Sequence, residues 1–248
     1  MKKRISLTLL LLTGFLFGQA QNFEGILRWT VTTRNVDPIT GKAAGSSRTP
    51  AQSVPENRQA GRANMIPREL TMKVQNRNTL IQMEGGMAPM IGDILYLHNK
   101  NQTYAISREA KTYHVLTPMS GRTANQPPYK VTKTRERARL LNYDCVKYVV
   151  QMQNGPQNST QVIWASTEFK DFDSSLFSRL PIGRQGELSF LKDIEGAPLR
   201  IEMRAFGSNL IAELAEVKKQ PLDASQFNIP AGYQELEMRG MGRKGLMD

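Results

Sequence analysis

Glu69-Leu70-Thr71-Met72-Lys73-Val74-Gln75, followed by Asn76-Arg77-Asn78 and by Leu80 to Glu84, is the stretch that decides the fold. Leu70, Met72 and Val74 alternate with Glu69, Thr71, Lys73 and Gln75, which gives one apolar and one polar face at period two. Asn76, Arg77 and Asn78 carry turn residues, and the apolar run from Leu80 returns, so the unit reads as a β-hairpin. Strands with a single polar face belong to antiparallel sheets that meet water on one side.

The same cadence extends in both directions. Upstream, Phe23, Gly25, Leu27, Trp29 and Val31 share one face and Glu24, Arg28, Thr30 and Thr32 the other, with Ile26 breaking the pattern. Downstream, Asp93–His98, Gln102–Ser107 and Lys111–Leu116 follow at hairpin spacing, parted by turn residues such as Asn99, Lys100 and Asn101. Val146, Tyr148, Val150 and Met152 then alternate with Lys147, Val149 and Gln151. The turn Asn154-Gly155-Pro156 leads into Thr160–Ala165, and Leu199, Ile201, Met203 and Ala205 oppose Arg200, Glu202 and Arg204. The fold class is therefore mainly β, an antiparallel meander with few helices to cover its apolar face. Asp173 as N-cap with Leu176, Phe177 and Leu180 predicts one short helix. Leu210, Ile211, Leu214 and Val217 fit an amphipathic helix opened by Ser208 or Asn209, and they fit a strand; periodicity leaves both open.

Two stretches lack the pattern. Asp37–Pro67 is rich in Gly, Ala, Ser, Thr, Pro and Arg and nearly free of large apolar residues, so it reads as a disordered insertion between the first two strands. Residues 237–248, with Gly240, Gly242, Gly245, Arg239, Arg243 and Lys244, read as a loose basic tail. Between them the chain from 21 to 236 is expected to form a single domain.

The first 20 residues carry an address. Lys2, Lys3 and Arg4 precede an apolar run from Ile5 to Gly18, and Gly18 and Ala20 supply the small residues of a cleavage site. That run of roughly 14 residues is shorter than the ~20 a membrane span needs. The sole cysteine, Cys145, lies far from the cleavage site, so no lipid-modified start is expected. The mature chain is predicted to be exported to the periplasm with no transmembrane segment. Losing Lys2, Lys3 and Arg4 takes the net charge from +11 to +8. Outside the cytoplasm such a surplus points to anionic lipid head groups and envelope polymers, not to nucleic acid. Its densest cluster, Lys130, Lys133, Arg135, Arg137 and Arg139, reads either as a solvated hairpin or as an anion-binding strip.

Catalytic chemistry finds little support. One cysteine and two histidines leave no zinc framework or multi-histidine centre. His98 and His114 both fall on predicted strands, where surface or rim hydrogen bonding suits them. Cys145, among Tyr143, Val146 and Tyr148, reads as a small apolar residue. Glu84-Gly85-Gly86 follows a strand but has no helix signature or lysine after it, so no phosphate loop is expected. Met83, Met87 and Met90 cluster in a Gly/Pro loop, and Met238, Met241 and Met247 lie in the tail. Thioethers bind Cu(I), yet they also serve as adaptable apolar lining or plain packing. No catalytic residue, metal or cofactor is expected, and the protein is read as a non-enzyme.

The order of several segments resembles a family of exported bacterial domains of unknown function grouped with the periplasmic lipoprotein-carrier (LolA/LolB-like) fold. The resemblance rests on Phe23-Glu24-Gly25, on Leu141-Asn142-Tyr143-Asp144-Cys145-Val146-Lys147-Tyr148 and on Val162-Ile163-Trp164-Ala165. It continues through Gly196-Ala197-Pro198-Leu199 and Phe227-Asn228-Ile229-Pro230-Ala231-Gly232-Tyr233. It implies a strongly curved antiparallel sheet, an incomplete barrel, with a few short helices on the concave side, and it makes Leu210–Val217 a strand. The long Arg-containing insertion and the scarcity of covering helices depart from the carrier pattern, and the family brings no catalytic residues to carry over.

Two functions follow as expectations. The concave side can hold a lipid or other amphiphile, with a lining that includes Leu27, Trp29, Leu70, Met72 and Val74. Alternatively the core is filled and the chain is an envelope interaction module, docking a protein partner through its loops or the Arg-containing insertion.

Overall fold

Alternation on this scale, repeated from Gly25 to Lys219, produces one sheet. The computed structural model describes residues 23–34, 66–116, 128–154, 157–169, 172, 188–205 and 208–236. Its strands are β1 (Gly25–Arg34), β2 (Glu69–Gln75), β3 (Asn78–Glu84), β4 (Asp93–Leu97), β5 (Gln102–Ser107) and β6 (Thr112–Leu116). β7 (Tyr129–Leu140), β8 (Tyr143–Asn154), β9 (Gln157–Ser166), β10 (Ala197–Ala205), β11 (Ser208–Lys219) and β12 (Gln234–Glu235) complete it. They hydrogen-bond in the order β12-β6-β5-β4-β3-β2-β1-β11-β10-β9-β8-β7. Two meanders thus meet where the first strand pairs with the eleventh. All neighbours are antiparallel except β12 on β6, and the sheet is not closed into a barrel.

Local chemistry fixes the joints. In the β2–β3 hairpin Gln75 faces Asn78, and both intervening residues, Asn76 and Arg77, take positive φ. That is the primed two-residue turn whose twist suits a hairpin. Gly25 has φ +150, and a Cβ there would lie 2.0 Å from the Lys218 carbonyl oxygen. Gly196 has φ +90, with the Ser166 oxygen 2.2 Å from the same hypothetical atom. Only glycine fits either site, which gives steric reasons for the Phe23-Glu24-Gly25 and Gly196-Ala197-Pro198-Leu199 motifs.

An open, twisted sheet of this many strands curls instead of staying flat. Phe169, after β9, measures how far. Its ring lies 5.4 Å from Phe23, just ahead of β1, and 5.4 Å from Tyr143 on β8. Four strand spacings, about 19 Å on a flat sheet, part β1 from β8. One phenylalanine bridges both because the sheet bends around it.

Several expectations are refined. Leu210–Val217 lies inside β11, so the helical alternative falls: the flanking strands β1 and β10 hold its backbone groups along their length. His98 is not on a strand but opens a 3₁₀ turn, His98–Lys100, because the chain must reverse into β5. Residues 130–139 form the exposed outer arm of the β7–β8 hairpin, one long edge strand interrupted by a bulge between Lys133 and Arg137. A single helical turn, α1 (Ala88–Ile91), does follow Gly85 and Gly86, with Pro89 in its first turn. The predicted helix at Asp173–Leu180, the leader and the 237–248 tail lie outside the described residues, as does the Asp37–Pro67 insertion apart from its last two positions.

Apolar residues gather on both sides of the curl. The concave face carries the larger cluster, drawn from β1–β4 and β7–β11 and filled by Phe169, Phe172, Leu188, Phe190, Leu191 and Ile194. A 3₁₀ turn, Ser189–Asp193, brings the central pair of these fillers inward. The convex face of β3–β6 carries a second cluster, Leu80, Leu95, Leu97, Tyr104 and Ile106, covered by Leu222 and Phe227 from the C-terminal segment. Ile26, the residue that breaks the alternation of β1, packs against this outer cluster.

Candidate binding face

Register places the expected lining in three adjacent rows across the concave face. Leu27 faces Met72, which faces Ile81, which faces Ile94; one step along, Trp29 faces Leu70 and Leu70 faces Met83. Val74 stands beside Gly25 and opposite Thr79. The five expected residues therefore come together: Leu27, Trp29, Met72 and Val74 are buried in the inner cluster, and Leu70 packs against it from the rim. The sequence pattern missed what fills the concavity. Phe190 and Leu191 are both 0% exposed, and Tyr129 packs edge-on against Phe190 while its hydroxyl donates to Asp193 at 2.6 Å. A 3₁₀ turn follows neither of the periods that mark strands and helices, so only the apolar composition of Leu188–Ile194 marks it.

The inner face turns polar at one end. Thr79 on β3 stands opposite Tyr96 on β4, which stands opposite Thr103 on β5. Tyr96 donates to Asn101 Oδ1 at 3.2 Å, and its ring lies 6.4 Å from that of His98. The His98 backbone N–H donates to Asn78 Oδ1 at 2.9 Å, which ties the 3₁₀ turn to the residue preceding Thr79. Thr79 Oγ1 and His98 Nδ1 are both shut from solvent and have no hydrogen-bond partner. Leaving such groups unpaired costs about 1–3 kcal/mol each. Gln161, across the sheet on β9, is half satisfied: its Nε2 donates to Met152 Sδ at 3.1 Å while its Oε1 has no partner.

Other candidates resolve into structural roles. Burial pushes the Cys145 thiol up to about 11, the opposite of what a nucleophile needs. His114 Nδ1 lies 2.8 Å from the Leu236 carbonyl oxygen, a link between the β6 edge and the chain after β12. Among the described residues no group of three metal-ligating side chains converges. Met83 packs against the inner cluster, whereas Met90 on α1 is 80% exposed. On β7 Lys133 pairs with Glu195 at 2.6 Å, while Lys130, Arg135, Arg137 and Arg139 point to solvent along the open edge. Charge there blocks edge-to-edge association.

A polar clamp fixes the covering segment on the convex side. Glu24 Oε1 accepts from Gln75 Nε2 and from the Leu222 backbone N–H, each at 2.9 Å, and Gln75 Nε2 also donates to the Leu222 carbonyl. These donors, the Leu222 amide first, hold the Glu24 carboxyl below its usual range. The sequence pattern gave no sign of this role for Glu24.

With this geometry in place, comparison with known proteins adds a family and a distant structural likeness. The family model described as a domain of unknown function (DUF4412) matches residues 60–233. Among curated proteins none matches the chain. Of solved structures, LprF from Mycobacterium bovis is similar at a TM-score of 0.32 and 10% identity, over 82% of this chain and 89% of that one. Among the described residues no helix is long and apolar enough to cross a membrane.

Proposed function

The chain belongs to the DUF4412 family, and we propose that it is a non-catalytic exported binding protein that holds a lipid or other amphiphile against its concave face. The observation that carries this reading is the apolar inner face to which Leu27, Trp29, Leu70, Met72 and Val74 contribute, laid in adjacent rows on one side of a curled, unclosed sheet. A closed barrel would fix the size of its interior, whereas an open edge lets the concavity widen around a chain-like ligand. Such a ligand would share the space with Phe190 and Leu191. The basic outer surface would promote approach to anionic membranes.

Extraction of the purified native protein followed by lipid mass spectrometry tests the proposal. Recovery of an amphiphile at near one per chain is expected, with loss on Leu27→Arg or Met72→Arg in a chain that still folds. Repeated recovery of no lipid would sink it.

A second reading draws on the same fillers. Phe190 and Leu191 occupy the concavity as fully as core residues do, which suits an envelope interaction module with a filled core. On that reading deletion of residues 37–65 leaves folding intact and abolishes capture of one envelope protein.

A further inference from the structure

Thr79 is 2% exposed, yet its hydroxyl has no partner; Nδ1 of the half-buried His98, whose ring lies 6.4 Å from that of Tyr96 opposite Thr79, is likewise shut from solvent and unpaired. Buried polar groups are nearly always satisfied, so two exceptions flanking one tyrosine, Tyr96, call for a specific explanation. Their setting supplies it. Thr79 faces Val74 and lies two residues along β3 from Ile81, so it stands on the inner face in the row beside the apolar one that Leu27, Met72, Ile81 and Ile94 form. We infer that Thr79 and His98 form the polar end of the ligand site and bind the oxygen-bearing head of an amphiphile whose tail lies along that apolar row. This inference rests on the proposed amphiphile-binding role.

The surroundings also select the head. A hydroxyl can donate or accept, and an imidazole nitrogen does either according to tautomer, so the pair suits an ester carbonyl or an alcohol. The inner-face neighbours of Thr79 in register are Val74, Tyr96 and, beyond it, Thr103, none of them cationic. A carboxylate taken out of water there would meet no lysine or arginine among these neighbours, only the His98 imidazole, so an uncharged head avoids a desolvation cost that a carboxylate would bear. The ligand class is therefore an uncharged long-chain ester or alcohol, a monoacylglycerol being the simplest example.

Two probes separate the inference from the reading beneath it. Diphenylhexatriene, which has no polar atom, reports the apolar rows by fluorescence. 1-Monooleoylglycerol, which displaces it, reports the polar end. Thr79→Val keeps the shape and removes the hydroxyl; it is expected to weaken monooleoylglycerol about tenfold, the worth of one good hydrogen bond, and to leave diphenylhexatriene unchanged. Thr79→Ser restores the affinity, and His98→Phe weakens it by a similar factor. If diphenylhexatriene binds but Thr79→Val leaves monooleoylglycerol unaltered, the polar end is overturned and the apolar site stands; a trapped water then satisfies the pair. If oleate binds more tightly than monooleoylglycerol, the assignment of an uncharged head is wrong. If neither probe binds the wild-type chain, the amphiphile reading fails and takes the polar end with it.

Discussion

The two halves of the sheet treat their convex faces differently. Across β3–β6 that face is covered: Leu80, Leu95, Leu97, Tyr104 and Ile106 are buried beneath Leu222 and Phe227. Across β8–β11 and β1 it carries paired charges that are only partly exposed, with Val162 and Ile211 buried among them. There Lys147 pairs with Glu136 at 2.9 Å and sits 5.8 Å above the Trp164 ring, Trp164 donates to Glu202, and Arg200 bonds Glu213 at 2.6 Å. Arg28 continues the pattern, 3.1 Å from Glu69 on β2 and 3.5 Å from Glu216 on β11. Both halves share one concave core, so the difference shows what the alternation in a strand encodes. It counts the faces that lose contact with water, and the C-terminal segment adds a second one to β3–β6.

The largest effect should come from the covered face. Leu95 is 0% exposed and belongs to the outer cluster alone. Leu95→Ala removes buried methyl groups and leaves a cavity between the sheet and the C-terminal segment. A loss of about 2–5 kcal/mol in urea unfolding is expected. A loss under 1 kcal/mol would mean that the segment covers the sheet loosely and that the two halves differ less than their burial implies.

The same contrast explains which parts of the fold could be read from the chain. β2, β8 and β10 each keep one polar face, and their boundaries follow the period-two pattern closely. β4 reads Ile94-Leu95-Tyr96-Leu97 without alternation because Ile94 serves the inner cluster and Leu95 and Leu97 the outer one. Ile26 breaks the pattern for the same reason. β7 was obscured by the reverse effect: at a solvated edge Lys130, Lys133, Arg135, Arg137 and Arg139 experience no burial that would impose a period, and the bulge shifts the rest. For the candidate face, Leu27, Trp29, Leu70, Met72 and Val74 were legible because they lie on regular strands. Phe190 and Leu191 were not, since they reach the core from a 3₁₀ turn. Thr79 was not either, because threonine is ordinary in strands and only its environment distinguishes it.

A smaller effect should come from the clamp that holds the covering segment. The folded Glu24 carboxyl titrates below its ordinary 4.5 because the Leu222 amide and Gln75 favour the charged form. A depressed carboxylate contributes stability that is fully present above the unfolded value and is lost as pH falls through the folded one. Glu24→Gln is therefore expected to lower stability measurably but modestly at pH 7, since solvent screens a group this exposed. The gap from wild type should close as the pH drops below 4.5, since protonation then gives both chains a neutral side chain. Hydrogen exchange at the Leu222 amide should speed up in parallel. A gap that stays constant with pH would place the role of Glu24 in its shape and not in its charge, and the clamp would then be no electrostatic device.

The smallest effect should lie on the charged half. Arg200 and Glu213 form a short pair across β10 and β11, but Glu213 is 39% exposed, so solvent screens much of the attraction. Glu213→Ala is expected to cost about 0.5 kcal/mol at low salt and nothing measurable at 1 M NaCl. The salt dependence is the informative part, because an exposed pair loses its value as the screening length shrinks while a buried one keeps it. Should the cost instead reach the size expected for Leu95→Ala and persist in salt, the convex face of β10 and β11 is covered by some part of the chain or a partner. The two halves of the sheet would then be buried alike, and the charge pairs across β8–β11 would have to be reread as the inside of an interface.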